Sequence, residues 1–418
     1  MKKNKKAYHF ETQLIHAENN PAKNRKATTL PIYQSTAFKY ESSKNISQVF
    51  NGEAAGDLYS RISNPSLSIL ERKLTVLEDG LGALLTGSGM AAITAAVLTL
   101  AKSGHQLVAS NSLFGGTYSF FNKTIREFGV ETTFVDPSSA SNFLGAITNQ
   151  TKAIFIETIG NPKMDVPDIA AIAQIAAKFN LPLIVDSTVT TPQLVRPKVL
   201  GANLVIHSIS KFINGHGNCL GGVVVDCGNF DWSGKRFVHF KDYSQRYGRL
   251  AFLAKMRREV FRDFGPCLAP HSAFLMDIGL ETLALRMNKH CANAQALAEF
   301  LAKQPKVKAV NYPGLTDNKF HALAAKQFNN CFGAVLTFRL KNQAQCFKLI
   351  DKLELAYNLA NIGDAKTLVI HPASTICIEF TTAERKNMGV TDDLVRVSVG
   401  IEHQADIIDD FNQALEAI

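Results

Sequence analysis

The sequence predicts an α/β protein: a large, mostly parallel sheet of seven strands, then a smaller carboxy-terminal α+β unit. Three observations carry this. Apolar or β-branched runs recur seven times between 83 and 225, helix-like stretches separate several of them, and the pattern changes style after about 265. Strands alternating with helices build βαβ units, whose sheet is covered on both faces and whose strands are therefore apolar throughout.

In chain order, residues 1–63 read as an arm, with few apolar runs, Pro21, Pro31 and the glycine-containing stretch NGEAAGD at 51–57. Residues 64–264 form the predicted α/β domain. Its runs lie at 83–86, 106–110, 131–135, 153–158, 182–187, 204–208 and 222–225, with helices over 88–101 and 168–179, where Ala and Ile recur at three- and four-residue spacing. Residues 265–418 form the second domain. A long helical pattern at 270–303 is followed by a strand at 333–340, a helix at 343–352, a strand at 394–399 and a closing amphipathic helix.

Composition excludes several classes. Of 418 residues, 46% are hydrophobic and 19% charged, which is the balance of a folded globular chain and not of a disordered one. The first residues, MKKNKKAYHFETQ, lack the apolar core of a secretory signal. The most apolar stretch, Ala91 to Ala101, is about half of what a bilayer requires, so no membrane partner is expected. Seven scattered cysteines without a CxxC pair read as reduced thiols in a cytoplasmic protein. His216 and Cys219 have an HxxC spacing with no second pair, so no metal is expected.

The net charge of +9 is local. Lys2, Lys3, Lys5 and Lys6 form a basic start, and the segment 235–263 holds nine Lys and Arg against Asp242, Glu259 and Asp263. The rest of the chain is close to neutral. In the basic segment Phe237, Phe240, Tyr243, Tyr247 and Phe252 interleave with the charges, the composition of a single-strand nucleic-acid binder. The favoured expectation is instead the rim of a site, or a subunit contact, that meets small anions, with no nucleic acid bound.

Ligands of open α/β sheets bind beyond the carboxyl ends of the strands. The first run exits into Thr86-Gly87-Ser88-Gly89-Met90 and a helix, whose free N–H groups make a phosphate cradle; such a turn also serves as a plain connector. The fifth exits through Asp186, an acid that requires a partner if buried and that also serves as a helix N-cap. The sixth exits through Ser208, Ser210 and Lys211 into a glycine-rich loop. A partly buried lysine there becomes a nucleophile toward carbonyls; a solvated loop lysine is the plainer alternative. Together the three features fit pyridoxal 5′-phosphate, which needs a Schiff-base lysine, a carboxylate on its ring nitrogen and donors for its phosphate. Arg396, in mid-strand, needs an anion if buried, whereas Arg61 alone reads as a surface arginine.

The same residues sit in motifs that resemble the pyridoxal-phosphate-dependent enzymes of cysteine and methionine metabolism. These are YSRISNP at 59–65, TGSGMAA at 86–92, ETIGNP at 157–162, DSTVTTP at 186–192, HSISKFINGHG at 207–217, GDAKTLVIHPAS at 363–374 and LVRVSVGIE at 394–402. The resemblance spans nearly the whole chain and implies the aspartate-aminotransferase-like (type I) fold of pyridoxal-phosphate-dependent transferases. It implies that Lys211 binds the cofactor covalently and shuttles protons, and that Asp186 holds the ring nitrogen. The Gly89 and Met90 amides with Ser208 and Ser210 would hold the phosphate, while Tyr59 and Arg61 would reach the phosphate of a neighbouring subunit. Arg396 would grip the substrate carboxylate, with Asn161 nearby. It further implies a homo-oligomer, a tetramer built from dimers with shared sites.

Three places depart from the family pattern. Phe114 stands in SLFGGTY where a ring-stacking tyrosine is usual, so hydroxyl chemistry falls to Lys211, Tyr59 or water, with Tyr118 a weak substitute. Ser187 replaces a frequent asparagine, and STICIEF at 374–380 is less polar than usual, leaving Cys377 unexplained. Gly116, where methionine γ-lyases carry cysteine, points away from that activity. The 235–263 segment, with LANIGDAKTLVIHPAST and FRDFGPCLAPHSAF, resembles the O-acetylhomoserine sulfhydrylase branch. The implied reaction is replacement of the γ-acetoxy group of O-acetyl-L-homoserine by sulfide or a small thiol, giving homocysteine or methionine. Methionine γ-lyase and cystathionine γ-synthase or γ-lyase activities are the alternatives.

Overall fold

The computed structural model describes residues 8–418 except 19, 20, 23 and 25, so the four amino-terminal lysines lie outside the described residues. All seven predicted runs between 83 and 225 are strands. They are β1 (Gly82–Thr86), β2 (Gln106–Ser110), β3 (Glu131–Val135), β4 (Thr151–Glu157), β5 (Leu183–Asp186), β6 (Leu204–His207) and β7 (Gly222–Asp226), in the order β1-β7-β6-β5-β4-β2-β3. The β2–β6 pairs are parallel, and β7 runs antiparallel to both β1 and β6.

Alternation along the strands divides the core. Leu85, Val108, Ile154, Ile156, Val185 and Val205 join one buried cluster, while Leu84, Leu107, Phe155, Ile184, Leu204 and Ile206 join the other. Successive side chains point to opposite faces, so a sheet covered on both sides needs apolar residues at every position. The covering helices start where side chains satisfy their free amides: Ser88 caps Gly89–Leu100, Asp168 caps Ile169–Lys178, and Asn64 with Pro65 opens Pro65–Leu77.

The second sheet has five strands, β8 (Ala309–Asn311), β9 (Val335–Arg339), β10 (Tyr357–Asn358), β11 (Leu368–Ile370) and β12 (Leu394–Ser398), in the order β10-β11-β12-β9-β8. The strands at β9 and β12 match the sequence expectation; β8, β10 and β11, of two or three residues each, are too short to show a period.

The helical pattern at 270–303 is two helices, Pro270–Glu281 and Leu283–Ala302. The break at Thr282 leaves the Gly279 carbonyl free to accept from Arg286 Nη2 at 2.5 Å, while Arg286 Nη1 and Nη2 reach the carbonyls of Phe212 (2.6 Å) and Ile213 (2.9 Å). This arginine pins the new helix to the loop after Lys211. The arm contains two short helices. In Phe10–His16, Leu14 is buried with Leu67 and Leu70; Ser43–Asn51 is capped by Ser42 and ends at Gly52 with φ 71°.

Packing divides the 235–263 segment into core and surface. Its Phe237, Phe240 and Phe252 are buried and surround Trp232, with Phe240 and Phe252 stacked on the indole at 5.2 and 5.1 Å. These aromatics are core, packed in the same cluster as the helix Gly89–Leu100. The interleaving thus reflects helices with an apolar inner face and a basic outer one, not a platform for bases.

Candidate active site

The carboxyl ends of β1, β4, β5 and β6 surround one cavity of about 800 Å³, which the carboxy-terminal unit closes with Asn361, Ile376 and Arg396. Gly89, Met90, Phe114, Asn161, Asp186, Ser208, Ser210, Lys211 and Arg396 all line it. The structure therefore brings together every expected site residue except Tyr59 and Arg61. Those two remain on the arm outside the cavity, with the guanidinium 4.9 Å over the tyrosine ring and Tyr59 41% exposed.

One wall is the start of the helix Gly89–Leu100. Ser88 Oγ accepts from the Ala91 amide at 3.1 Å, and Gly89 packs so close to the loop after β6 that a Cβ would lie 2.5 Å from Ser208 Cβ. Gly222, opposite Thr86 on β7, is equally constrained, since a Cβ there would lie 2.2 Å from the Ser88 carbonyl. Ser208 is held through its amide by Thr188 Oγ1 at 2.8 Å. The Ser210 hydroxyl donates to the Gly221 carbonyl (3.1 Å) and accepts from its amide (2.8 Å), tying together the two ends of the lysine loop.

Asp186 ends β5, buried, with Oδ1 accepting from the Thr188 amide at 2.9 Å. Burial raises its pKa against the pull of Thr188 and His207. Beside it at the end of β4 stands Glu157, whose Oε1 accepts from the Phe114 amide at 2.7 Å. Its pKa lies well above the usual carboxylate range, through burial first and the charge of Asp186 second. The sequence reading missed Glu157. The signal was present, an acid closing an apolar strand as Asp186 does.

Lys211 Nζ donates to Asn361 Oδ1. Burial and then the nearby Arg396 charge bring the amine down to about 8. Arg396, 3% exposed on β12, donates to the Asn361 carbonyl at 3.0 Å and to Asn161 Oδ1 at 3.4 Å. Its Nε has no partner, and no carboxylate pairs with it among the described residues. A buried guanidinium in this state is a receptor for an anion. Asn361 thus contacts both the amine and the guanidinium, a second residue the motifs did not single out.

The departures resolve physically. Phe114 is 40% exposed on the cavity, and its ring lies over Gly116, where a Cβ would come 2.7 Å from Cε1. Tyr118 is not a substitute for a hydroxyl at 114: it is buried between Phe134 (4.6 Å) and Phe380 (5.5 Å) and does not line the cavity. Ser187 is buried and hydrogen-bonded to Thr190 Oγ1 at 2.8 Å. Cys377 is buried in the apolar core beneath the wall that Ile376 and Ile378 form. His216 Nδ1 pairs with the Asn214 carbonyl at 2.6 Å, and no group of three metal-ligating side chains gathers among the described residues.

A lowered amine, a buried carboxylate, a glycine-tight helix start and an arginine without a carboxylate partner, all on one cavity, are the donor set for a phosphorylated pyridine aldehyde and an amino acid. The chain belongs to the Cys/Met metabolism PLP-dependent enzymes, whose family model matches residues 11–416. Among its relatives are the homocysteine synthase of Schizosaccharomyces pombe, 42% identical over 98% of both chains, and the O-acetyl-L-homoserine sulfhydrylase of Leptospira meyeri, 39% identical over 98% of this chain and 97% of that protein. A crystal structure from Campylobacter jejuni, described as that of a putative O-acetylhomoserine (thiol)-lyase carrying N′-pyridoxyl-lysine-5′-monophosphate, superposes with a TM-score of 0.95. It is 35% identical and covers 98% of this chain and 100% of that one.

Proposed function

We propose that this chain replaces the γ-acetoxy group of O-acetyl-L-homoserine with sulfide or a small thiol, giving homocysteine or methionine. One observation carries the reading: the Lys211 amine and the Arg396 guanidinium, which has no carboxylate partner among the described residues, face the same cavity, bridged by Asn361. Relatives of about 40% identity along the full chain bear the names homocysteine synthase and O-acetyl-L-homoserine sulfhydrylase.

Pyridoxal 5′-phosphate, when bound, draws electrons from the amino acid so that its α- and β-protons become acidic. The proposed division of labour follows from the chain's own groups. Lys211 attaches the cofactor and, once released by the incoming amino group, moves protons at the α- and β-carbons. An amine near 8 both gives and takes protons at neutral pH. Asp186 holds the ring nitrogen, while the Gly89 and Met90 amides with Ser208 and Ser210 hold the phosphate. Arg396 clamps the α-carboxylate with Asn161 beside it, and Phe114 covers the ring. Tyr59 and Arg61 serve the site of a neighbouring subunit, which makes the working unit an oligomer, a tetramer built from two dimers. The arm is 1–63, the cofactor domain 64–264 and the second domain 265–418. No helix among the described residues is long and apolar enough to cross a membrane, in keeping with a cytoplasmic enzyme.

The test is product analysis of the holoenzyme with O-acetylhomoserine plus sulfide, against methionine alone. Homocysteine from the ester supports the assignment. Ketoacid and thiol from methionine, with no homocysteine from the ester, overturns it in favour of a γ-lyase.

A further inference from the structure

The cysteines are scattered in the sequence, but two of them meet in space. Cys291, 8% exposed, lies on the helix Leu283–Ala302. Cys331 is half-buried in the irregular segment between the helix His321–Gln327 and β9. The Cys291 thiol donates a hydrogen bond to the Cys331 sulfur, and the amides of Phe332 and Gly333 donate to the Cys291 sulfur. Three contacts thus set the buried sulfur against the loop that carries the other. A thiol is a weak donor, so the pair adds little to the stability of the fold. Its consequence is chemical: two sulfurs in contact, one of them within reach of solvent, make an attacking and a resolving thiol. The hydrogen bond from Cys291 also lowers the Cys331 thiol to about 7 against the effect of burial, and the thiolate is the attacking form.

The two sides of the pair differ in freedom. The helix is fixed by Arg286 on the carbonyls of Phe212 and Ile213, by His290 Nδ1 paired with the Val399 carbonyl at 2.7 Å, and by Asn293 Nδ2 donating to the Gly400 carbonyl at 3.0 Å. The loop is irregular, with φ of 52°, 59° and 76° at Asn329, Asn330 and Gly333. Gly333 backs onto the cavity: a Cβ there would lie 3.3 Å from Ile159 Cδ1 and 3.5 Å from Val189 Cγ1, and both of those residues line it. A covalent bond is shorter than the hydrogen bond it replaces, so joining the sulfurs draws the loop toward the helix and shifts Gly333 relative to that wall.

We propose that Cys291 and Cys331 are a redox-active dithiol, which a low-molecular-weight disulfide converts to an internal disulfide that slows turnover. The Cys331 thiolate attacks the small disulfide, forms a mixed disulfide and expels one thiolate. Cys291 then loses its proton to the medium, and its sulfur attacks that of Cys331 and expels the second thiolate. Two protein thiols are oxidised, and one small disulfide is reduced to two thiols. An excess of small thiol reverses both steps. The exchange at the two sulfurs does not depend on which reaction the cavity performs.

The test is mass spectrometry of the holoenzyme, digested without reduction after exposure to excess hydroxyethyl disulfide. A linked pair of peptides containing Cys291 and Cys331 should form before the exposed Cys267 is modified. Cys291→Ser should instead hold one half of the reagent on Cys331, and Cys331→Ser should show neither product. Turnover of the linked parent with O-acetylhomoserine and sulfide should fall at least about threefold and return with dithiothreitol, while Cys331→Ser keeps its turnover in the oxidant. Absence of the linked peptides, or modification of Cys267 ahead of Cys331, overturns the dithiol. Unchanged turnover of the fully linked enzyme overturns its control of the cavity. If neither form converts the ester, that failure falls on the γ-replacement reading. The affinity of linked and reduced apoenzyme for pyridoxal phosphate then decides, since equal values refute the control.

Discussion

Glu157 and Asp186 are register partners at the carboxyl ends of the parallel strands β4 and β5, two buried carboxylates one strand spacing apart. Both pKa values are raised, as for any two acids that share a dry site. Their surroundings assign them different tasks. Both line the cavity, but Glu157 is also held by the amides of Phe114 and Asn161 and so fixes the loop that presents Phe114.

A carboxyl whose folded pKa exceeds its unfolded value stabilises the fold at low pH, and that stability declines as pH rises from the unfolded value toward the folded one. Replacing Glu157 by Gln should therefore improve relative to the parent between pH 5 and 8, measured as denaturation midpoints of the apoenzyme at both pH values. Glu157→Ala abandons two amide donors and should cost about 2–5 kcal/mol at either pH. A Gln variant that loses ground at pH 8 would contradict the raised carboxyl.

The Lys211 amine is lowered to about 8 by burial and by Arg396. Reattachment of pyridoxal phosphate to apoenzyme should accelerate about tenfold per pH unit below about 8 and level off above it, because only the neutral amine attacks. Arg396→Gln removes one cause of the depression, so the break should move to higher pH. Stopped-flow absorbance during reconstitution measures both, and a break near the free-lysine value in the parent would refute the assignment.

Gly89→Ala places a methyl 2.5 Å from Ser208 Cβ and 3.0 Å from its Cα, where backbone must yield. The cradle should widen, at about 1–3 kcal/mol of stability, and pyridoxal phosphate should lose at least about tenfold in affinity, while unphosphorylated pyridoxal changes little. Equilibrium dialysis of the two compounds checks this; equal losses for both would remove the helix start from phosphate binding.

Tyr118 and Phe114 predict opposite behaviour. Tyr118→Phe should leave steady-state turnover within about twofold, since its hydroxyl does not line the cavity. Phe114→Tyr adds a hydroxyl on the cavity side at under about 0.5 kcal/mol in stability and should change kcat. A collapse of kcat in Tyr118→Phe would restore it as a participant.

Trp232 with Phe240 and Phe252 makes the basic segment a structural one. Phe252→Ala should cost about 3–5 kcal/mol, whereas Arg262→Gln, at an exposed ion pair with Asp263, should leave the denaturation midpoint close to that of the parent. Thermal denaturation of the two variants separates core from surface.

Much of this was readable in the residues because burial on both sheet faces imposes apolar runs that no loop imitates. β5 and β6 announce themselves, and so do Asp186 and Lys211 as polar groups at or just beyond their ends. What escaped notice depended on distance in space. Asn361 lies far from Lys211 in sequence, and nothing local marks an asparagine that serves an amine with its side chain and an arginine with its carbonyl. Glu157 was hidden by its motif, where Asn161 drew the attention. The break at Thr282 could not be read because both flanking helices keep the same apolar period. The place of the 235–263 aromatics was not legible for a related reason: composition gives a residue's chemistry, and only packing gives its side.

The reversal of β7 has a consequence for access. Between parallel neighbours the chain must return across a face of the sheet, usually as a helix that roofs the strand ends. β6 and β7 are antiparallel neighbours, so the chain from Ser208 to Gly221 needs no such return and can turn in place. Lys211 therefore sits in a turn beyond an interior strand with no crossover helix above it, and the strand that carries Arg396 closes that side from the second unit. One strand laid the other way leaves a doorway, and the second unit of the chain supplies its lintel.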